Sequence, residues 1–379
     1  MRCDSTPGRS DSVPKIGDIL DDVDTPALIV ELDALERNIG AMAAAVEDRG
    51  MRLRPHAKSH KSPDIARRQI AAGAVGICCQ KVGEAEAFVA AGVTDVLITN
   101  EIVGTAKLAR LALLSRNASL GVLVDDRANV AALAAAMRAA GASIDVLVEV
   151  DVGAHRCGVL PGAPALELAR AIAGGSGLRF AGLHAYQGAA QHLRRPAERR
   201  AAIARAAELA FETKALIEQA GIECATVTGA GTGTFTLERD SGIYTELQPG
   251  SYVFMDADYG RNEHADGEIR FEQSLFVWTT VMSTPAPDRA IVDAGLKAFA
   301  VDSGMPLVAR APALELVKAS DEHGLLRIAP GAAGPRLGER LKLVPGHCDP
   351  TVNLYDWIVA VRNDRVESLW PVAARGALT

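Results

Sequence analysis

RLRPHAKSHKSPDIARRQIAAGAVGICCQ, residues 52–80, reads as strand, helix, strand. RLRPH is short and extended, PDIARRQIAAG carries apolar residues at helical spacing and closes on a glycine, and GICCQ is an apolar run. The same unit recurs down the chain. Strand candidates at 96–99, 121–125, 145–150, 180–185, 225–229 and 246–253 join 52–56 and 76–80. Between them lie Ala-rich helical stretches such as RANVAALAAAMRAAG and AERRAAIARAAELAFETKALIEQAG. Eight βα repeats predict a (β/α)8 barrel, whose chemistry sits at the C-terminal ends of the strands.

After residue 262 the texture changes to β-rich runs without long helices: SLFVWTTVM, RAIVDAG, LELVKAS, RLKLVPG and WIVAVRNDRVESLWP. These predict a second, mostly antiparallel β domain. The expected organisation is a flexible tail at 1–22, the barrel at 23–262 and the β domain at 263–379, which the early strand 27–32 joins. The stretch APGAAGPRLGER, residues 329–340, is expected to be a turn or loop within that domain.

With 379 residues, 49% apolar and 23% charged, the chain has the composition of a soluble globular protein of more than one domain. A net charge of −7 gives no general attraction for nucleic acid or an anionic membrane. The basic cluster LRRPAERR, residues 193–200, is expected to be an exposed helix face. No apolar run approaches the roughly 18 residues of a membrane span. The N-terminus MRCDSTPGRSDSVPKIGD lacks the apolar core of a secretory signal, and a cytoplasmic location is expected. Six scattered cysteines read as reduced thiols, with Cys78 and Cys79 packed in the interior.

The residues at the predicted strand ends carry more chemistry than connecting loops need. They include Lys58, Gln80, Arg156, Tyr186 with His192 beyond it, and the turn GAGTG at 229–233. Such a set can be assigned roles around pyridoxal phosphate. A strand-end lysine can form an imine with the cofactor aldehyde, and Lys58 is placed for it if Arg54, His56 and Lys58 share one strand face. Lys61 is expected at the surface. A glycine-rich turn can bring backbone N–H groups close to a phosphate, and Arg156 can hydrogen-bond a pyridine nitrogen without surrendering its own proton.

Near the C-terminus stands His347-Cys348-Asp349, in VPGHCDPTVNLYD. On a strand or its end, His347 and Asp349 would point the same way and suit a shared divalent cation. Alternation would turn Cys348 away.

Ten ordered motifs, among them RPHAKSHKSPDIA, EVDVGAHRCGV, AYQGAAQH, TGAGTGTF, SDEHG and VPGHCDPTVNLYD, together resemble the D-threonine aldolase family over residues 22–376. That family stands with D-serine dehydratase and 3-hydroxy-D-aspartate aldolase among pyridoxal phosphate enzymes with an alanine-racemase-like barrel. The resemblance implies that Lys58 holds the cofactor, Arg156 faces its pyridine nitrogen, Gly231, Thr232 and Gly233 contact its phosphate, and Gln80 and Tyr186 line it. His347 and Asp349 match the metal-ligand positions. It also implies a homodimer, with the active site where barrel mouth and β domain meet. Relatives that dehydrate D-serine resemble H-x-C here. The carboxylate of Asp349 favours Mn²⁺ or Mg²⁺, and with it an aldolase.

The expected reaction is retro-aldol cleavage of a D-3-hydroxy-amino acid, D-threonine foremost, to glycine and an aldehyde. His192 is the candidate base for the 3-hydroxyl proton, and the cation would lower that hydroxyl's pKa. Asp321 and His323, in SDEHG, can support the metal or form a plain turn. The other histidines receive no role. A 3-hydroxy-D-aspartate aldolase is the near rival, left open by AVDSGMP at 300–306, and a D-serine dehydratase is a different reaction class. A non-catalytic cofactor-binding barrel would need neither the β domain nor the H-x-D.

Overall fold

Residues 13–379 are described by the computed structural model, in which two compact units are distinguished. One consists of Asn38–Val253, Tyr259–Phe271 and Gly376–Thr379. The other runs through residue 37, takes up Phe254–Asp258 and covers Glu272–Arg375. The boundary thus differs from a single cut at 262, because the chain crosses from one unit to the other more than once.

Strand β1 (Ala27–Glu31) and helix α1 (Leu32–Glu47) precede eight parallel strands. These are β2 (Arg52–Leu53), β3 (Ile77–Cys79), β4 (Asp95–Glu101), β5 (Ser119–Val124), β6 (Ile144–Glu149), β7 (Leu178–His184), β8 (Thr226–Gly229) and β9 (Glu246–Leu247). Their order in the sheet is β2-β9-β8-β7-β6-β5-β4-β3. A parallel bridge from His56 to Cys78 joins its two ends, so the predicted eight-stranded barrel is present. The last strand is shorter than the expected 246–253, for Ser251–Val253 is a 3₁₀ turn.

The alternating helices are α2 (Pro63–Ala71), α3 (Val82–Ala90), α4 (Thr105–Leu114), α5 (Arg127–Ala140), α6 (Ala163–Ala173), α7 (Pro196–Gln219) and the short α8 (Phe235–Arg239). Local chemistry sets their ends. Asp126 caps α5 by accepting from the N–H groups of Ala128 and Asn129, and Gly141 closes it in the left-handed conformation. Inside the sheet, Cys78, Leu97, Leu123 and Leu147 pack together, which leaves polar strand-end residues for the mouth.

In the second unit, nine strands form one sheet, mostly antiparallel as expected. To β1 it adds β10 (Leu275–Ala286), β11 (Arg289–Val292), β12 (Leu307–Val308), β13 (Leu314–Ala319), β14 (Gly324–Ile328), β15 (Arg340–Val344), β16 (Trp357–Arg362) and β17 (Arg365–Pro371). A five-residue helix, α9 (Cys348–Val352), follows β15. Strand β1 lies at the centre, antiparallel to β10 and parallel to β16. Its Ile29 joins Phe276, Trp278, Val359 and Val361 in this unit's core. The 329–340 stretch connects β14 to β15 as expected.

Two further expectations are corrected. Of the tail placed at 1–22, residues 1–12 lie outside the described residues, while 13–22 are held in place. The Gly17 N–H donates to Val366 O, Ile19 bridges Arg365, and Leu20 is buried. In the basic cluster, Arg199 is buried instead of solvated, because its guanidinium satisfies the carbonyls of Leu193, Arg194 and Glu263. Cys78 and Cys79 are fully buried, and none of the five described cysteines forms a disulfide.

Candidate active site

At the C-terminal ends of the parallel strands lies a cavity of about 500 Å³. Of the residues expected to meet there, Lys58, Gln80, Arg156, Tyr186, His192, Gly231 and Thr232 line it, and Gly233 does not.

Lys58 reaches the cavity from a turn, not from a strand. Strand β2 ends at Leu53, the N–H groups of Arg54 and His56 still donate to Leu247 O and Pro249 O, and Ala57–Ser59 then wind into a 3₁₀ turn. The N–H groups of His60 and Lys61 both return to Ala57 O, so they have no ladder to extend. His56 Nδ1 accepts from the Lys58 N–H at 3.3 Å, and Ser59 Oγ donates to His56 O at 3.0 Å. The expected common face of Arg54, His56 and Lys58 is therefore absent. Arg54 turns to Asp95 and Glu246, which line a separate cleft, while His56 and Lys58 line the cavity.

Lys61 is not at the surface. A left-handed backbone (φ 50°) turns its side chain inward, and Nζ lies 3.2 Å from Glu84 Oε1. Glu84 Oε2 accepts from the N–H groups of Gln80, at 2.7 Å, and Lys81, at 3.1 Å. One buried carboxylate thereby ties the segment carrying Lys58 to the segment carrying Gln80. A sequence signal existed, a glutamate three residues past Lys81 at the start of an apolar run, as in a capping box. Gln80 itself places Nε2 2.9 Å from His56 Nε2 and 3.1 Å from Thr99 Oγ1.

Arg156 sits in the loop after β6. Its guanidinium carbon lies 5.8 Å from the Tyr186 ring centroid, and Nη2 is 3.4 Å from Glu149 Oε1. Asp151 shapes that loop, accepting from the N–H groups of Gly153 and His155. His184, at the end of β7, lines the cavity although sequence reasoning gave it no role. Burial pushes its pKa down to about 4, and Nε2 lies 3.2 Å from Gln248 Oε1. The ring is neutral at pH 7.

The glycine-rich turn after β8 opens with Ala230 in the left-handed region (φ 74°). A Cβ at position 231 would lie 2.5 Å from the Gln191 side chain, which would have to shift to admit it. Gln191 also takes the Gly233 N–H at 2.9 Å, which directs that group away from any cavity ligand. Thr232 Oγ1 is buried without a hydrogen-bond partner among the described residues. Such an orphaned donor in a glycine-lined cradle fits a phosphate oxygen. His192 ends the 3₁₀ turn Gly188–His192, exposed at the cavity's edge, with its ring 6.4 Å from that of Tyr259.

In the β unit, the H-x-D sequence is not on a strand. β15 ends at Val344, His347 is the extended cap residue of α9, and Asp349 lies in that helix's first turn. The alternation argument fails with it. Cys348 is fully buried and its Sγ lies 3.3 Å from Asp349 Oδ1, while its N–H donates to Asp256. His347 Nδ1 contacts Asp302 Oδ2, a partner the sequence did not reveal. Asp321 and His323 form the turn closing β13 on β14, where Ser320 N–H donates to His323 O.

Among the described residues, the group of three potential ligands gathered within 4.8 Å is Glu101, Asp125 and Cys157. Burial favours protons there, raising the Glu101 carboxyl to about 7 and the Cys157 thiol to about 11.

Residues 30–258 match the family model described as alanine racemase, N-terminal domain, and residues 274–361 the one described as putative serine dehydratase domain. Over 360 residues the chain is 52% identical to a D-threonine aldolase of Arthrobacter sp, covering 95% of each. Over 361 residues it is 47% identical to a 3-hydroxy-D-aspartate aldolase of Paracoccus denitrificans (strain Pd 1222), covering 94% of this chain and 93% of that one. The crystal structure of D-threonine aldolase from Filomicrobium marinum superposes with a TM-score of 0.95 at 52% identity, over 97% of this chain and 100% of that one.

Proposed function

We propose that this protein, which belongs to the D-threonine aldolase family, cleaves the Cα–Cβ bond of D-3-hydroxy-amino acids using pyridoxal phosphate on Lys58. The observation that carries the reading is the cavity that gathers Lys58, Arg156, Tyr186 and the Gly231–Thr232 cradle. The family and the unpartnered Thr232 hydroxyl both fit the cofactor. Bound there, it supplies a sink for the electron pair released when the bond breaks.

The chain's own residues do the rest. The Lys58 amine would attach the cofactor, the Thr232 hydroxyl and the backbone at Gly231 would hold its phosphate, and Gln80 and Tyr186 would line it. Arg156, protonated at every working pH, would face the pyridine nitrogen as a donor and leave that atom without a proton of its own. The exposed imidazole of His192 is the candidate to take the proton of the substrate's 3-hydroxyl.

His347 and Asp349 offer one imidazole nitrogen and one carboxylate, a donor set for Mn²⁺ or Mg²⁺. With Nδ1–H donated to Asp302, the ring presents Nε2 as its lone pair, as metal-ligating histidines do. Such a cation would act as a Lewis acid towards a hydroxyl. The carboxylate in place of a thiolate is what favours an aldolase over a dehydratase.

D-Threonine is the expected substrate, with acetaldehyde as co-product, since the relative from Arthrobacter carries that name. The relative from Paracoccus supports 3-hydroxy-D-aspartate, giving glyoxylate, as the second reading. Among the described residues no helix is long and apolar enough to cross a membrane. A cytoplasmic location is the expected one, with which the lack of a disulfide among the five described cysteines accords. A homodimer is the expected assembly, to be read from the mass in solution. The deciding assay measures products from D-threonine, D-phenylserine, 3-hydroxy-D-aspartate and D-serine. Glycine with an aldehyde, lost on chelation and restored by Mn²⁺ or Mg²⁺, is expected. Pyruvate and ammonia from D-serine as the dominant turnover would replace the aldolase reading with a dehydratase.

A further inference from the structure

Behind the cavity lining stands a group of ionisable residues that the proposed reaction does not use. Glu149, the last residue of β6, is 4% exposed. Its Oε1 lies 3.4 Å from Arg156 Nη2, and its Oε2 lies 3.8 Å from His184 Nδ1. Both Oε2 and that ring nitrogen lack a hydrogen-bond partner among the described residues. Burial raises the Glu149 pKa, the Arg156 charge lowers it, and the charge of Asp125 also reaches the carboxyl. Cys157 lies beside Glu101 and Asp125.

Each contact limits the next. Burial raises the neighbouring Glu101 carboxyl to about 7. His184 cannot neutralise Glu149. Its Nε2–H is directed to Gln248, Nδ1 is left as a lone pair, and burial keeps the ring uncharged. The cation left to face the Glu149 carboxylate is Arg156, and a buried carboxylate holds such a partner firmly because the alternative is an uncompensated charge. The Arg156 side chain is 53% exposed against 6% for Glu149, so one end of the pair is anchored and the other projects into the cavity.

We infer that Glu149 is a positioning residue that fixes the Arg156 guanidinium in the cavity. This rests on the reading that Arg156 faces the cofactor ring.

The test uses holoenzyme of the wild type, Glu149→Gln, Arg156→Ala, their combination, and Glu101→Gln. Two readouts are taken besides activity: the dissociation constant of pyridoxal phosphate, and the position and pH midpoint of its visible band. Glu149→Gln is expected to weaken cofactor binding about tenfold and move the midpoint, a coupling within the range for residues in direct contact. In the Arg156→Ala background the same change should add nothing. Glu101→Gln, a control outside the Glu149–Arg156 pair, should stay within about twofold of wild type on the same scale. If Glu149→Gln does not accumulate folded, Glu149→Asp, which withdraws the carboxylate by one methylene, reads the same coupling. The inference is overturned if the Glu149 variants match wild type, or if their effect persists undiminished without Arg156. If Arg156→Ala alone leaves band and affinity unchanged, Arg156 does not face the ring, and that reading fails first.

Discussion

His347 Nδ1 lies 2.7 Å from Asp302 Oδ2, across 45 residues of sequence. A carboxylate on one ring nitrogen fixes the tautomer and raises the basicity of the other. Asp302→Ala should therefore weaken Mn²⁺ binding by about 10- to 100-fold without removing either proposed ligand. Calorimetric titration of metal-depleted protein measures this. Unchanged affinity would leave Asp302 as a mere surface partner and weaken the assignment of His347.

The buried Lys61–Glu84 pair predicts an asymmetric mutational response. Lys61→Met leaves the Glu84 carboxylate without that cation, though still held by two N–H groups. The expected loss is about 3 kcal/mol in urea unfolding, at the low end for a broken buried pair. Adding Glu84→Gln should restore part of it. A double variant less stable than Lys61→Met would show that the charge of Glu84 is not the burden.

Glu238 in α8 predicts a pH dependence of stability. Burial raises its carboxyl from 4.5 to about 7, and Oε1 accepts from Thr234 Oγ1 at 2.8 Å. The folded state binds this proton more tightly than the unfolded chain, so the stabilisation is complete below about pH 4.5 and is lost as pH rises through about 7. Thermal melts from pH 5 to 8 should show that decline in wild type and a shallower one in Glu238→Gln. Parallel curves would assign the decline to other groups.

His192→Ala should lower turnover by about 10²- to 10⁴-fold, as loss of a general base does. Retention of pyridoxal phosphate and the melting temperature should change little, since the ring is exposed at the cavity's edge. A normal rate would return His192 to the role of a surface loop histidine.

Gly231→Ala should loosen the phosphate cradle, because its Cβ would meet Gln191, whose Oε1 also binds the Gly233 N–H. The expected readout is faster loss of the cofactor on dilution in a protein that still folds. Retention equal to wild type would place the phosphate elsewhere.

Periodicity alone located all eight barrel strands and the β-rich second unit, because burial imposes a period of two or 3.6 on apolar residues whatever their partners. It failed where the chain leaves regular structure. A common face of Arg54, His56 and Lys58 requires the strand to run on to Lys58, yet the N–H groups of His60 and Lys61 close on Ala57 O. His347 and Asp349, expected on a strand or its end, stand instead at the start of α9. Local hydrogen bonding within a few residues decided both, and strand alternation does not carry through such turns.

The sequence by itself determined the fold class, the candidate lysine, arginine and glycine-rich turn, and the chemical type of the H-x-D side chains, since these depend on residue identity and spacing. Only the tertiary structure decided which groups stand behind them. Asp302 behind His347, Glu84 beneath Lys61, Gln191 against Gly231 and Gly233, and Glu149 behind Arg156 are separated in sequence by 45, 23, 40 or more, and seven residues respectively. A carboxylate acts on a partner through a few ångströms of low-dielectric space, and that distance exists only once the chain has folded.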